Sequence, residues 1–195
     1  MIKLVNLLKE TQILVPRRSF EERQKNHLIV TQKKIQQYIK DGSQGDLDLR
    51  GTPIKDLGNL KSVGGGLNLG KTSIESLGNL QSVGGYLVLE ETPIESLGNL
   101  QSVGGSLNLV GTPIKSLENL QSVGGYLNLY KTPIKDLGNL KSVGGYLILS
   151  KTLIKDLGSI QSVGEYLNVK ETPISKMYSE EQIRQMVNVK GNIYL

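Results

Sequence analysis

From Asp46 onward the chain repeats every 20 residues. In register the units read DLDLRGTPIKDLGNLKSVGG, GLNLGKTSIESLGNLQSVGG, YLVLEETPIESLGNLQSVGG, SLNLVGTPIKSLENLQSVGG, YLNLYKTPIKDLGNLKSVGG and YLILSKTLIKDLGSIQSVGE, and YLNVKETPISKM opens a seventh. A unit this short cannot bury an apolar side by itself, so the units must stack, and a stack of equal units is a solenoid. Val189 to Leu195 again fit V-x-G-x-I-x-L, which predicts an eighth strand closing the array.

Within residues 126–145 the apolar positions are Leu127, Leu129, Ile134, Leu137, Leu140 and Val143. The Leu127-x-Leu129 step has the period of a strand with one buried face, and the three-residue spacings after it suit a tight arc rather than a long helix. One short strand and one return arc per unit predict a single parallel sheet of about eight strands, on the order of 35 Å long. The constant columns have mechanical readings. Threonine recurs at Thr52, Thr72, Thr92, Thr112, Thr132, Thr152 and Thr172, where the strand ends, and its hydroxyl can bond turn backbone left unpaired. Pro53, Pro93, Pro113, Pro133 and Pro173 fix φ at the turn and supply no donor. Glycine pairs such as Gly124-Gly125 are expected in a backbone conformation closed to other residues. The serines from Ser62 to Ser162 are expected to form a second hydroxyl ladder.

The stretch L-x-L-x-x-T-x-I-x-x-L resembles the leucine-rich repeat core L-x-L-x-x-N-x-L, with Thr where that family has Asn or Cys. S-V-G-G-Y-L-N-L, at Ser122 to Leu129, is also similar to the shorter β-helical repeats of receptor L domains. The likeness covers residues 46–195 and recurs seven times. It implies a mainly β solenoid, a right-handed leucine-rich-repeat-like coil, and a binding role. Two departures stand out: valine four residues before the strand pair replaces the usual leucine three before it, and a 20-residue coil leaves no room for an outer helix. More loosely, the chain resembles repeat proteins of large tailed phages, which carry a similar basic N-terminal segment.

The chain has no cysteine and one histidine, His27, so disulfides, thiolate or His-rich metal sites and cysteine nucleophiles are excluded. No cofactor or metal is expected. His27, just ahead of an apolar run, reads as a surface or cap-packing residue, since no second histidine or cysteine exists to complete a catalytic group. Met1 to Glu10 is interrupted by charge and Asn too early for a secretory signal, and no apolar run approaches the roughly 20 residues of a membrane span. A soluble, cytoplasmic protein is expected. The net charge of +5 lies wholly in residues 1–45, with nine basic against four acidic residues; residues 46–195 hold fourteen of each. A nucleic-acid reader needs its basic stripe on the binding face, so nucleic acid is disfavoured as a partner.

Solenoid ends need covers. Ser19-Phe20-Glu21-Glu22 is a capping-box pattern, and Leu28, Thr31, Ile35, Tyr38 and Ile39 share a helical face that ends near Asp41-Gly42. Ser179-Glu180-Glu181-Gln182 repeats the pattern and predicts a short helix with Ile183, Met186 and Val187 inward. Leu4, Leu7 and Leu8 fit one helical face, followed by an extended run Ile13-Leu14-Val15 that Pro16 ends and the basic pair Arg17-Arg18; this segment is open to folding onto the cap, docking on a partner or lying on a membrane surface. The expected organisation is thus an N-terminal segment and cap at 1–45, the solenoid at 46–178 and a C-terminal cap at 179–195.

Function is expected on the outer side of the sheet, where side chains alternate with buried leucines. One outward column reads Asp46, Gly66, Tyr86, Ser106, Tyr126, Tyr146, Tyr166, Asn192, and a second Asp48, Asn68, Val88, Asn108, Asn128, Ile148, Asn168, Tyr194. A third runs Arg50, Gly70, Glu90, Val110, Tyr130, Ser150, Lys170, beside Gly51, Lys71, Glu91, Gly111, Lys131, Lys151, Glu171. Tyr86, Tyr126, Tyr146 and Tyr166, with Tyr130, Lys131 and Lys151, are the candidate recognition residues, because tyrosine offers a large area with a polar tip. Stacked tyrosines also stabilise strands with no ligand present. Asn108, Asn128 and Asn168, with Asn68, form a column that reads as solvated or mutually bonded. Three classes remain: a module binding a protein partner, a structural or assembly protein, and a binder of a small anionic ligand or nucleic acid. An enzyme is disfavoured, because the adjacent carboxylates Glu90 and Glu91, or Asp46 and Asp48, lie on an open face.

Overall fold

The computed structural model describes residues 19–195; the expectations for residues 1–18 lie outside the described residues. The expected sheet is present. Strands β1 (Leu47–Asp48), β3 (Leu67–Asn68), β5 (Leu87–Val88), β7 (Leu107–Asn108), β9 (Leu127–Asn128), β11 (Leu147–Ile148), β13 (Leu167–Asn168) and β15 (Ile193–Tyr194) form one parallel eight-stranded sheet in chain order. Each strand pairs with the equivalent residues of the next coil, Leu127 with Leu147 and Leu147 with Leu167. In-register stacking follows from the constant period.

A second parallel sheet, on the return side, was not expected from the spacing. Strands β2 (Ser62–Val63), β4 (Ser82–Val83), β6 (Ser102–Val103), β8 (Ser122–Val123), β10 (Ser142–Val143), β12 (Ser162–Val163) and β14 (Asn188–Val189) form seven strands stacked in order. Each serine sits outside the core and each valine is buried, so the pair is a single step of strand alternation. The serine column is therefore strand and not a hydroxyl ladder: backbone bonds such as Gln121 N–H to Gln101 O (2.8 Å) hold this side, and no described side-chain hydrogen bond joins these hydroxyls.

Leu127, Leu129, Ile134, Leu137, Leu140 and Val143 are all buried between the two sheets, as are their equivalents in the rest of the first six coils, whereas in the seventh Met177, at the place of Leu137, is exposed. The threonines do what their position predicts: each hydroxyl from Thr52 to Thr152 donates to the carbonyl of the leucine three residues back, at 2.6–2.8 Å. The glycine pairs have a different cause from the expected one. No positive φ occurs at Gly124 or Gly125; instead a Cβ on Gly124 would overlap the Gly104 carbonyl, and one on Gly125 would lie 3.0 Å from Gly105 C. Side chains are excluded there by how closely the coils stack. Left-handed glycines occur elsewhere, among them Gly58, Gly78, Gly98, Gly138 and Gly158, where the N–H bonds an Asp or Ser side chain two residues back.

Both ends are closed by helices. Helix α1 (Phe20–Lys40) starts at the Ser19/Glu22 capping box and turns Thr31 and Ile35 into the first coil. Leu28, Tyr38 and Ile39 are half-buried beside them. Helix α2 (Pro173–Met177), capped by Thr172, and α3 (Glu180–Met186), opened by the Ser179/Gln182 box, replace the last arc. Ile183 and Val187 point inward, whereas Met186 is exposed, because a helix of two turns covers the end with only one stripe. The edge carbonyls are closed by side chains. Asn68 O accepts from Leu49 N–H of the preceding coil; in the first coil the equivalent Asp48 O accepts from the Lys34 ammonium at 2.6 Å. At the far end Val163 O and Glu165 O accept from the last coil, and the equivalent Val189 O and Gly191 O accept from the Arg184 guanidinium at 2.9 Å each. Glu180 holds that guanidinium at 2.8 and 3.0 Å.

Candidate functional site

The frame fixes the backbone of every coil alike, so the outer columns of the eight-stranded sheet present side chains at the coil spacing. At Tyr126, Tyr146 and Tyr166 this spacing matches the separation at which aromatic rings stack. The Tyr126 and Tyr146 ring centroids are 4.7 Å apart and 1° from parallel, and those of Tyr146 and Tyr166 are 4.8 Å apart and 7° from parallel. Tyr194, in the adjacent column, closes the row edge-on to Tyr166 at 5.6 Å. All three stacked rings are half-buried. Burial raises the Tyr146 and Tyr166 phenols above the ordinary tyrosine value; Tyr126, Tyr166 and Glu165 add to it for Tyr146, and Tyr194 and Glu165 for Tyr166.

Tyr86 stands apart from this row. Its ring lies over Gly66, where any Cβ would overlap it, and it is 40% exposed. Ser106 separates it from Tyr126 in the column, so the row consists of Tyr126, Tyr146, Tyr166 and Tyr194.

Tyr130 gathers the two lysines. Lys131 Nζ lies 5.1 Å and Lys151 Nζ 5.8 Å from its ring centroid. Lys151 also pairs with Glu171 at 3.5 Å, which, with Tyr130, raises the lysine pKa and keeps it protonated. Both lysines have left-handed backbone, with φ of 58° and 60°. A third ammonium, Lys170, lies 5.5 Å over Tyr194. The structure thus brings Tyr126, Tyr130, Lys131, Tyr146, Lys151 and Tyr166 onto one side of coils five to seven.

The asparagines do not bond one another. Asn68, Asn108, Asn128 and Asn168 each accept, through Oδ1, the N–H two residues ahead, at 3.0–3.1 Å. Asp48 does the same for Arg50 at 3.0 Å. Asn108 additionally donates to Glu90 at 3.0 Å. Asn108, Asn128 and Asn168 are therefore turn-forming residues, and the signal for this was their place two residues before the strand leaves the sheet.

The face is open, and among the described residues no group of three His, Cys, Asp or Glu is placed to hold a metal ion. No described helix is long and apolar enough to cross a membrane. A shallow trough crosses the second sheet, lined by Ser102, Ser122, Ser142, Ser162 and the glycines beside them. No protein-family model, curated protein or solved structure matches this chain.

Proposed function

We propose that this solenoid is a non-catalytic, leucine-rich-repeat-like binding module acting inside the cell, and that it recognises a protein partner on coils five to seven of its eight-stranded face. Residues 1–18 are a second candidate contact. The observation that supports this reading is the concentration of aromatic and cationic side chains at positions the frame leaves free. Leu127, Leu147 and Leu167 are required for burial; Tyr126, Tyr146, Tyr166, Tyr130, Lys131 and Lys151 are not. Rings already stacked lose little further freedom on binding, which favours them as contact groups.

The test is capture from a cell lysate by the intact chain, beside a Tyr126→Ala/Tyr146→Ala/Tyr166→Ala variant and a chain lacking residues 1–15. Loss of a captured protein with the tyrosine variant supports recognition on the face. Loss only on truncation moves recognition to the N-terminal segment, and equal capture by all three samples removes both contacts from the account.

A second reading, a site for a small anion or nucleic acid, draws on the two ammonium groups that converge on Tyr130. It predicts affinity falling steeply with salt and lost in Lys131→Gln/Lys151→Gln. A structural role, as in an assembled particle of phage type, instead predicts association that depends on residues 1–18.

A further inference from the structure

Charge on the flank of the solenoid, where the strand leaves the eight-stranded sheet and turns, is sorted along the axis. In coils two and three the flank carries one lysine, Lys71, against four glutamates, Glu75, Glu90, Glu91 and Glu95. In coils five and six it carries four lysines, Lys131, Lys135, Lys151 and Lys155, against Asp136 and Asp156. Those two aspartates accept the N–H of Gly138 and Gly158, and neither forms a salt bridge among the described residues.

In-register parallel stacking makes this segregation costly. Equivalent residues sit about 4.8 Å apart in backbone, so Lys115, Lys135 and Lys155 stack like on like, as do Glu75 and Glu95, and like charges opposite one another destabilise a sheet. Elsewhere the same stacking is used favourably, in Lys55 to Glu75 at 2.8 Å and Lys151 to Glu171 at 3.5 Å. Lys115, Lys131, Lys135, Lys155 and Glu95 are all exposed, and none makes a salt bridge among the described residues. A surface selected only for solubility intersperses its signs.

The sorted charges complement themselves. With a two-fold axis across coil four, at Val110 and Gly111, two chains lying side by side and antiparallel place coil three of each against coil five of the other. Glu91 and Glu95 then face Lys131 and Lys135, and Glu75 faces Lys155. Lys71 and Lys151 meet already engaged with Glu91 and Glu171. Lys71 and Lys151 thus oppose one another as like charges, and the exposed Lys115 faces its own copy near the axis. We propose that a second copy of this chain docks on this flank as a two-fold, antiparallel, salt-sensitive dimer. This rests on the reading of the outer surface as protein-binding; it shares Lys131 with that surface but uses none of the stacked tyrosines.

The experiment is sedimentation velocity on the full chain at about 0.02 M and about 0.5 M salt. It compares the parent with Glu91→Lys/Glu95→Lys, with Lys131→Glu/Lys135→Glu, and with all four changes together. Each two-residue reversal is expected to weaken association at least about tenfold, and the four-residue swap to restore it. The side chains are exposed, and a circular dichroism melt verifies that each variant folds. A monomer at low salt, a dimer indifferent to salt and to both reversals, or a swap that does not recover overturns the proposal. Lysate capture lost through the tyrosine variant is unaffected by any of these results, so the two readings fail separately.

Discussion

Coils two and three and coils five to seven share one interior and carry different exteriors. Leu67 and Leu127 are equally buried, Ile74 and Ile134 likewise, and the threonine hydroxyls make the same bond in both halves. Outside, the first column goes from Gly66 and a lone Tyr86 to the stacked Tyr126, Tyr146 and Tyr166, and the flank goes from glutamate to lysine. The contacts every coil makes with its neighbours above and below use the interior, the turns and the close-packed glycines; exterior contacts such as the stacked tyrosines are added in some coils only. The exterior is consequently free to differ without disturbing the stack, and the difference between the halves is where function is to be sought.

The largest effect tests the sameness of the interior. Leu67→Ala and Leu127→Ala are each expected to cost about 2–5 kcal/mol, because each opens a cavity between the two sheets. Urea melts giving similar values for both sites agree with a uniform frame. A site that tolerates the change marks a half whose interior is not close-packed.

The exterior should separate the halves. Tyr146→Ala removes two stacking contacts and is expected to cost about 1–3 kcal/mol, more than Tyr86→Ala, whose ring rests on a glycine. The same melts measure it, and equal losses would show that the stacked row has no energy of its own.

The phenols sharpen the contrast. The folded-state pKa values of Tyr146 and Tyr166 are raised above the unfolded value, so the unfolded chain ionises first. Their contribution is present below about pH 10 and is lost as pH rises through the folded values. Stability should therefore fall above about pH 10, and fall less in Tyr146→Phe/Tyr166→Phe, as read from melts across that range.

The smallest effect lies in the second column. Val88 occupies a position where Asn68, Asn108 and Asn128 bond the backbone N–H two residues ahead. Val88→Asn supplies that acceptor to Glu90 and is expected to add about 1 kcal/mol, measurable as a higher melting temperature.

Much of this was legible in the sequence for a physical reason. A repeat that stacks in register makes columns of sequence into columns in space, so the eight-stranded sheet, the threonine turns, the capping boxes and the stacked tyrosines could all be read by alignment. Features lacking a period or a familiar motif could not. The Ser-Val step is one alternation long, too short to distinguish from an arc until its partners are seen. Gly124 and Gly125 carry the same letters whether glycine is needed for φ or for clearance, and only the stacked Gly104 carbonyl decides. Lys34 lies in the first helix, away from Asp48 in sequence, and Arg184 in a short helix before Val189; neither belongs to a repeated column, so their donation to edge carbonyls depends on where the helices dock. The asparagines were seen as a column, but the partner they share, the N–H two residues ahead, lay within each coil, and Asn108 alone of the four reaches a neighbouring coil as well, at Glu90.

The central claim is that the tyrosine row of coils five to seven is the recognition surface. Hydroxyl-radical footprinting of the intact chain, free and with its captured partner, reports each tyrosine separately. The account predicts that Tyr126, Tyr146, Tyr166 and Tyr130 become protected while Tyr86 and Tyr178 do not. Protection at Tyr86 or Tyr178 with the row unchanged would contradict it and place recognition elsewhere on the solenoid.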